Sequence, residues 1–110
     1  MMSEDKPSGG MTYRLGGLEM DDERKQVYMD GQLIKMTPLE YNILLLLMKH
    51  PGKVFSSRQI YESIWNEEAI GADNTVAVHI RHIREKIEIN PKEPRYLKVV
   101  WGIGYKIEKQ

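Results

Sequence analysis

Cysteine is missing from this 110-residue chain, which excludes a disulfide framework, a thiolate zinc site and a thiol nucleophile. Long apolar runs are missing too. The longest, Ile43 to Met48, has six residues, against the ~20 that a spanning helix needs. Residues 1–10 hold no apolar stretch of the kind a signal peptide requires. Excess charge of either sign is absent as well: 16 Lys/Arg stand against 16 Asp/Glu, so net charge selects no partner. These absences leave one small domain with a single core, expected in the cytoplasm and away from membranes.

The charge balance hides an asymmetry. Residues 1–73 carry 8 Lys/Arg and 12 Asp/Glu, a net −4, whereas residues 74–110 carry 8 and 4, a net +4. Such a split points the C-terminal third toward a polyanion. Segregation by chance on a small domain would look similar, so the residues that carry the charge decide its meaning.

Residues 1–11 are polar at the start and include Pro7, Ser8, Gly9 and Gly10, which reads as a disordered linker or a cloning remnant. The fold is expected over 12–110. From Thr12 to Met36 short apolar segments alternate with turn residues: Gly16-Gly17, then the charged cluster Asp21 to Lys25, then Asp30-Gly31. Asp-Gly between Val27-Tyr28-Met29 and Leu33-Ile34 is a hairpin signal. An antiparallel sheet of three or four strands is expected here.

Helical punctuation follows. Thr37-Pro38-Leu39-Glu40 is a capping box with proline at the first helical position. This helix should run to about His50 and lie between other layers, because its apolar residues cover most of its circumference. Ser56-Ser57-Arg58-Gln59 caps a short second helix to Trp65, with Ile60, Ile64 and Tyr61 inward. A loop over residues 66–72 leads to a third helix, capped by Asp73 or Asn74 and ending before Asn90-Pro91. The last segment, Tyr96 to Val100 and Tyr105 to Glu108 around Trp101-Gly102-Ile103-Gly104, reads as a hairpin.

The third helix carries the functional signal. At about 100° per residue, Val76, Ile80, Ile83 and Ile87 form one narrow core stripe. Opposite lie Asn74, Val78, Arg81, His82 and Glu85, with His79, Arg84 and Lys86 on the flanks. A basic helix after a short capped one fits the recognition helix of a helix-turn-helix module. Arg81, Arg84 and Lys86 can neutralise phosphates. Arg81 and His82 can donate to base edges, and Val78 has the shape to meet a thymine methyl. Glu85 would repel phosphates and must point away or pair with a cation.

Four motifs in order then carry a family resemblance. They are Met36-Thr37-Pro38-Leu39-Glu40-Tyr41, Val54-Phe55-Ser56-Ser57-Arg58, the run from Asn74 to Ile87 (NTVAVHIRHIREKI), and Val99-Val100-Trp101-Gly102-Ile103-Gly104-Tyr105-Lys106. From Tyr13 to Lys109 the chain resembles the OmpR/PhoB family, the winged helix-turn-helix output domains of bacterial two-component response regulators. The resemblance implies an α+β fold: an N-terminal antiparallel sheet, a three-helix core and a C-terminal hairpin wing. It implies sequence-specific binding of double-stranded DNA to regulate transcription, without catalysis, cofactor or metal. Helix 74–88 would enter the major groove, and wing 96–108 would approach the minor groove.

By the same resemblance Val78, Arg81, His82 and Arg84 face DNA, His79 contacts the backbone, and Thr75 meets a phosphate at the helix start. Lys98 and Lys106 are the expected phosphate contacts of the wing. The implied partners are tandem direct-repeat half-sites, a head-to-tail copy on DNA, RNA polymerase through loop 66–72, and a receiver domain upstream. Three positions depart from the family pattern. Asn74 and Trp101 stand where Arg is frequent, and His82 stands where a second basic residue is common. Trp101 either lies along a sugar-phosphate edge or folds back onto the domain, the commoner fate of a tryptophan.

Two other function classes compete. His79, His82 and Glu85 at i, i+3, i+6 would suit a metal enzyme only weakly, with three ligands inside two turns and no supporting acid. A protein-docking module would instead offer the cations of the third helix to an acidic partner.

Overall fold

The computed structural model describes residues 12–110, so the expected linker at 1–11 lies outside the described residues. Four strands come first: β1 (Thr12–Leu15), β2 (Leu18–Asp21), β3 (Gln26–Met29) and β4 (Gln32–Ile34), paired antiparallel in sequence order. Three helices follow, α1 (Pro38–Met48), α2 (Ser57–Trp65) and α3 (Ala72–Ile87). The hairpin β5 (Leu97–Val100) and β6 (Gly104–Ile107) closes the chain. The α+β order of sheet, three helices and wing agrees with the reading of the sequence.

Turn chemistry sets the sheet register. Asp30 and Gly31 both take positive φ, 50° and 84°, and join Met29 to Gln32 as a two-residue turn requires. Asp21 pairs with Gln26 across the charged turn, and its carboxylate accepts from the amides of Glu23 and Arg24. The core-facing residues of the middle strands, Leu18, Met20 and Val27, are fully buried.

Both expected capping boxes are formed. Thr37 Oγ1 accepts from the Glu40 amide while Glu40 accepts from the Thr37 amide; Ser56 and Gln59 repeat the exchange. Helix α1 ends at Met48, two residues early, and buries Ile43, Leu44 and Leu47 completely between α2, α3 and β6. Helix α3 begins earlier than expected. Its cap is Gly71 in the left-handed region, with no side-chain cap bond, instead of Asp73 or Asn74. Ala72 is buried and anchors the extra residues, and Asp73 falls in the first turn, where a negative charge complements the helix dipole.

The hairpin is fastened at its base. Phe55, between α1 and α2, exchanges backbone hydrogen bonds with Tyr105 in both directions, at 2.8 and 2.9 Å. A Cβ on Gly104 would sit 2.0 Å from the Phe55 carbonyl oxygen, so only glycine allows this approach. The Glu88 carboxylate, buried just past α3, accepts from the backbone amides of Arg95, Tyr96 and Leu97 at 2.7–3.3 Å. One acid thereby orders the entry to β5. The Tyr96 hydroxyl in turn accepts from the Gly17 amide and ties the sheet to the wing.

Candidate nucleic-acid interface

The core stripe of α3 is as the wheel requires: Val76, Ile80, Ile83 and Ile87 are all buried. This fixes the opposite arc outward. Asn74, Ala77, Val78, Arg81 and Glu85 are exposed, Val78 at 43% despite its apolar side chain. Arg81 has no ion-pair partner among the described residues. An unpaired guanidinium beside an exposed β-branched residue is the chemistry that major-groove edges recognise.

The flanks of α3 differ from what the sequence suggested. Arg84 is half-buried and its Nε donates to the Leu97 carbonyl at 2.9 Å, making it a strut from α3 to β5 instead of a free phosphate contact. Its Nη2 is buried without a partner. Lys86 is likewise engaged, ion-paired to Glu40 at the start of α1. His82 lies on the same side, its Nδ1 3.8 Å from the other Glu40 oxygen. The physical reason is angular: Arg84 and Lys86 sit about 80° to either side of the core stripe, close enough to reach neighbouring elements.

Glu40 is the centre of that cluster and only 3% exposed. Burial alone would raise its carboxyl, but the Lys86 ammonium, the Thr37 amide and the His82 ring hold it below the ordinary value. It stays a carboxylate, matched by Lys86.

His79 points toward α2. Its Nδ1 lies 2.8 Å from the Thr75 carbonyl, which can only accept, so Nδ1 carries a proton. Its ring meets Trp65 edge-on at 5.4 Å, and Trp65 stacks on Tyr61 at 4.7 Å. This aromatic ladder fixes the ring and leaves Nε2 as its unengaged end among the described contacts. Thr75 is half-buried beneath it.

On the wing, Lys98 and Lys106 face each other across the strands. Both reach Glu108, at 3.7 and 2.8 Å, and the Lys106 ammonium above all holds the Glu108 carboxyl below its ordinary value. Trp101 does not fold back. It is 86% exposed at the turn, where packing of a tryptophan onto the body was the commoner expectation. Ile103 beside it is exposed too. The tip borders a concavity shared with Ser57 and Arg58 of α2 and Asp73 of α3. Arg58, exposed and paired with Glu62, is a rim residue that the sequence reading quoted only as part of a motif.

Among the described residues no group of three His, Asp or Glu is placed to hold a metal. His79 and His82 turn to different neighbours, Thr75 and Glu40. No described helix is long and apolar enough to cross a membrane.

A family model described as "Transcriptional regulatory protein, C terminal" matches residues 31–107. The chain belongs to that family. This agrees with the OmpR/PhoB resemblance read from the motifs. Among relatives of this regulatory domain, the transcriptional regulatory protein YcbL of Bacillus subtilis is 40% identical over 105 residues, covering 96% of this chain and 46% of the relative. The regulatory protein VanRc of Enterococcus gallinarum is 40% identical over 97 residues, covering 88% and 42%. The chain thus spans less than half the length of the curated relatives it matches. Among solved structures, the Thermotoga maritima response regulator DrrB, an OmpR/PhoB homolog, superposes with a TM-score of 0.82 at 33% identity, covering 89% of this chain and 44% of that one. The Klebsiella pneumoniae RstA DNA-binding domain, solved in complex with the RstA box, has a TM-score of 0.82 at 26% identity, covering 88% and 96%.

Proposed function

We propose that this domain binds double-stranded DNA in a sequence-specific manner and serves as the transcriptional output of a two-component response regulator. The single observation that carries the reading is the outward arc of α3, where unpaired Arg81 stands beside exposed Val78 above a fully buried apolar stripe. The helix enters the major groove with Asn74, Val78 and Arg81 toward base edges, while Thr75, His79 and His82 border the backbone. Lys98 and Lys106 give the wing two cations against one acid, enough to meet phosphates.

Partners follow from family membership. A receiver domain upstream accounts for the greater length of the relatives, and loop 66–72, with Ile70 exposed beside Glu67 and Glu68, is the segment offered to RNA polymerase. Two copies pair head to tail on direct-repeat half-sites. As a DNA regulator acting inside the cell, the domain works in the cytoplasm without a catalytic step.

Selection of bound fragments from a random duplex pool tests this reading. The expected result is an enriched motif with two similarly oriented halves. Failure to enrich any motif, with a shallow salt dependence on every duplex, would sink it and favour protein docking.

A further inference from the structure

The wing has two chemically distinct parts. At its base, Lys98 and Lys106 carry its only cations on the strands. Residues 99–105 at its end hold no charged side chain, yet Trp101 and Ile103 stand 86% and 63% exposed. Exposed apolar side chains placed together are unusual on a small domain without a partner. They are also held rather than loose. Val100 pairs with Gly104, the Ile103 amide donates to the Val100 carbonyl at 2.9 Å, and Tyr105 is bridged to Phe55. The tip stands over the concavity that Asp73 of α3 also lines, next to the helix face proposed to read bases.

We infer that Trp101, supported by Ile103, is an apolar wedge that enters the DNA minor groove beside the base step next to α3's site. A duplex presents charge on its outer backbone and apolar sugar walls inside the groove. The hairpin presents the matching order, cations at its base and an apolar end. Phosphates offer Trp101 little, whereas burying its ring against deoxyribose or a partly opened step removes a large apolar area from water. Apolar wedges of this kind kink the duplex, and flexible pyrimidine–purine steps yield most readily. The wing therefore selects sequence through deformability instead of through a cation in a narrow groove. Continuity with the α3 face commits the tip to DNA. A second copy of the chain and another protein are the competing occupants.

The inference rests on the DNA-binding reading, and its test separates the two. With Trp65→Phe leaving Trp101 as the sole tryptophan, the domain is titrated with a selected duplex carrying one half-site, and acrylamide quenching of Trp101 is read. Shielding of Trp101 in the one-to-one complex is expected. Trp101→Ala is expected to weaken that complex roughly tenfold or more, reduce its bend in a gel phasing or energy-transfer assay, and leave the salt slope unchanged. The substitution is at an exposed position, so folding is not at stake. If the wild type binds, and Arg81→Ala weakens it, while Trp101→Ala binds and bends as before, the wedge is overturned and the DNA reading stands. If shielding arises only on a two-site duplex, Trp101 belongs to a contact between copies and the wedge is again overturned. If no duplex binds the wild type at all, the DNA reading itself fails.

Discussion

Lys86 in the last turn of α3 is ion-paired with Glu40 in the first turn of α1, 46 residues away. The pair joins the end of the proposed reading helix to the capping box that starts the helical core. Glu40 →Gln is therefore expected to lower stability by about 1–3 kcal/mol at neutral pH, because the charge-assisted bond is lost. The pH dependence has a definite sign. The folded-state carboxyl lies below its ordinary value, so its contribution is complete above the unfolded value and is lost as pH falls through the folded one. Denaturant melts of wild type and Glu40→Gln should converge on acidification, and a gap that widened instead would contradict the pairing.

Arg81 and Arg84 lie three residues apart on α3 and should behave oppositely. Arg81→Ala is expected to weaken binding to the selected duplex by about 1–3 kcal/mol with little effect on the melt. Arg84→Ala is expected to lower stability by about 1–3 kcal/mol, since it removes the bond to the Leu97 carbonyl. Paired melts and duplex titrations of the two variants would expose a reversed pattern at once.

Glu108 restrains both wing lysines. Glu108→Gln should leave Lys98 and Lys106 facing the duplex without a competing carboxylate, raising affinity and steepening the salt slope by roughly one unit. An unchanged slope across a salt series would remove the wing base from the interface.

Gly104→Ala would place a methyl 2.0 Å from the Phe55 carbonyl oxygen. The bridge to Tyr105 must open, with an expected loss of roughly 1–3 kcal/mol. Faster amide exchange at Phe55 and Tyr105 than in the wild type is the direct readout, and unaltered exchange would mean the hairpin can shift without cost.

Leu44 is fully buried at the centre of α1. Leu44→Ala is expected to destabilise the domain by about 2–5 kcal/mol, measured by urea melts.

Local chemistry explains what was legible in the sequence. The capping boxes at Thr37 and Ser56 and the Asp30-Gly31 turn each lie within four residues, so their signals need no knowledge of the fold. The stripe Val76, Ile80, Ile83 and Ile87 was readable because helical spacing alone sets its face. The third helix's start was not, since Gly71 caps it by backbone conformation and leaves no side-chain signature. The roles of Arg84 and Lys86 depended on Leu97 and Glu40, which the chain brings near only on folding. Their wheel angles did carry a warning, because both border the core stripe. Glu88 was missed although an acid at a helix C-terminus opposes the dipole, a hint that it serves another purpose. Composition could not foretell the exposure of Trp101, because a three-residue turn offers it nothing to pack on.

The paired bonds between Phe55 and Tyr105 have a mechanical corollary. They clamp the hairpin to the segment leading into α2, so the hairpin and the helices travel as the two jaws of one caliper whose gap is preset. A target whose successive grooves are spaced off that gauge is turned away on dimensions alone, before a single hydrogen bond is compared.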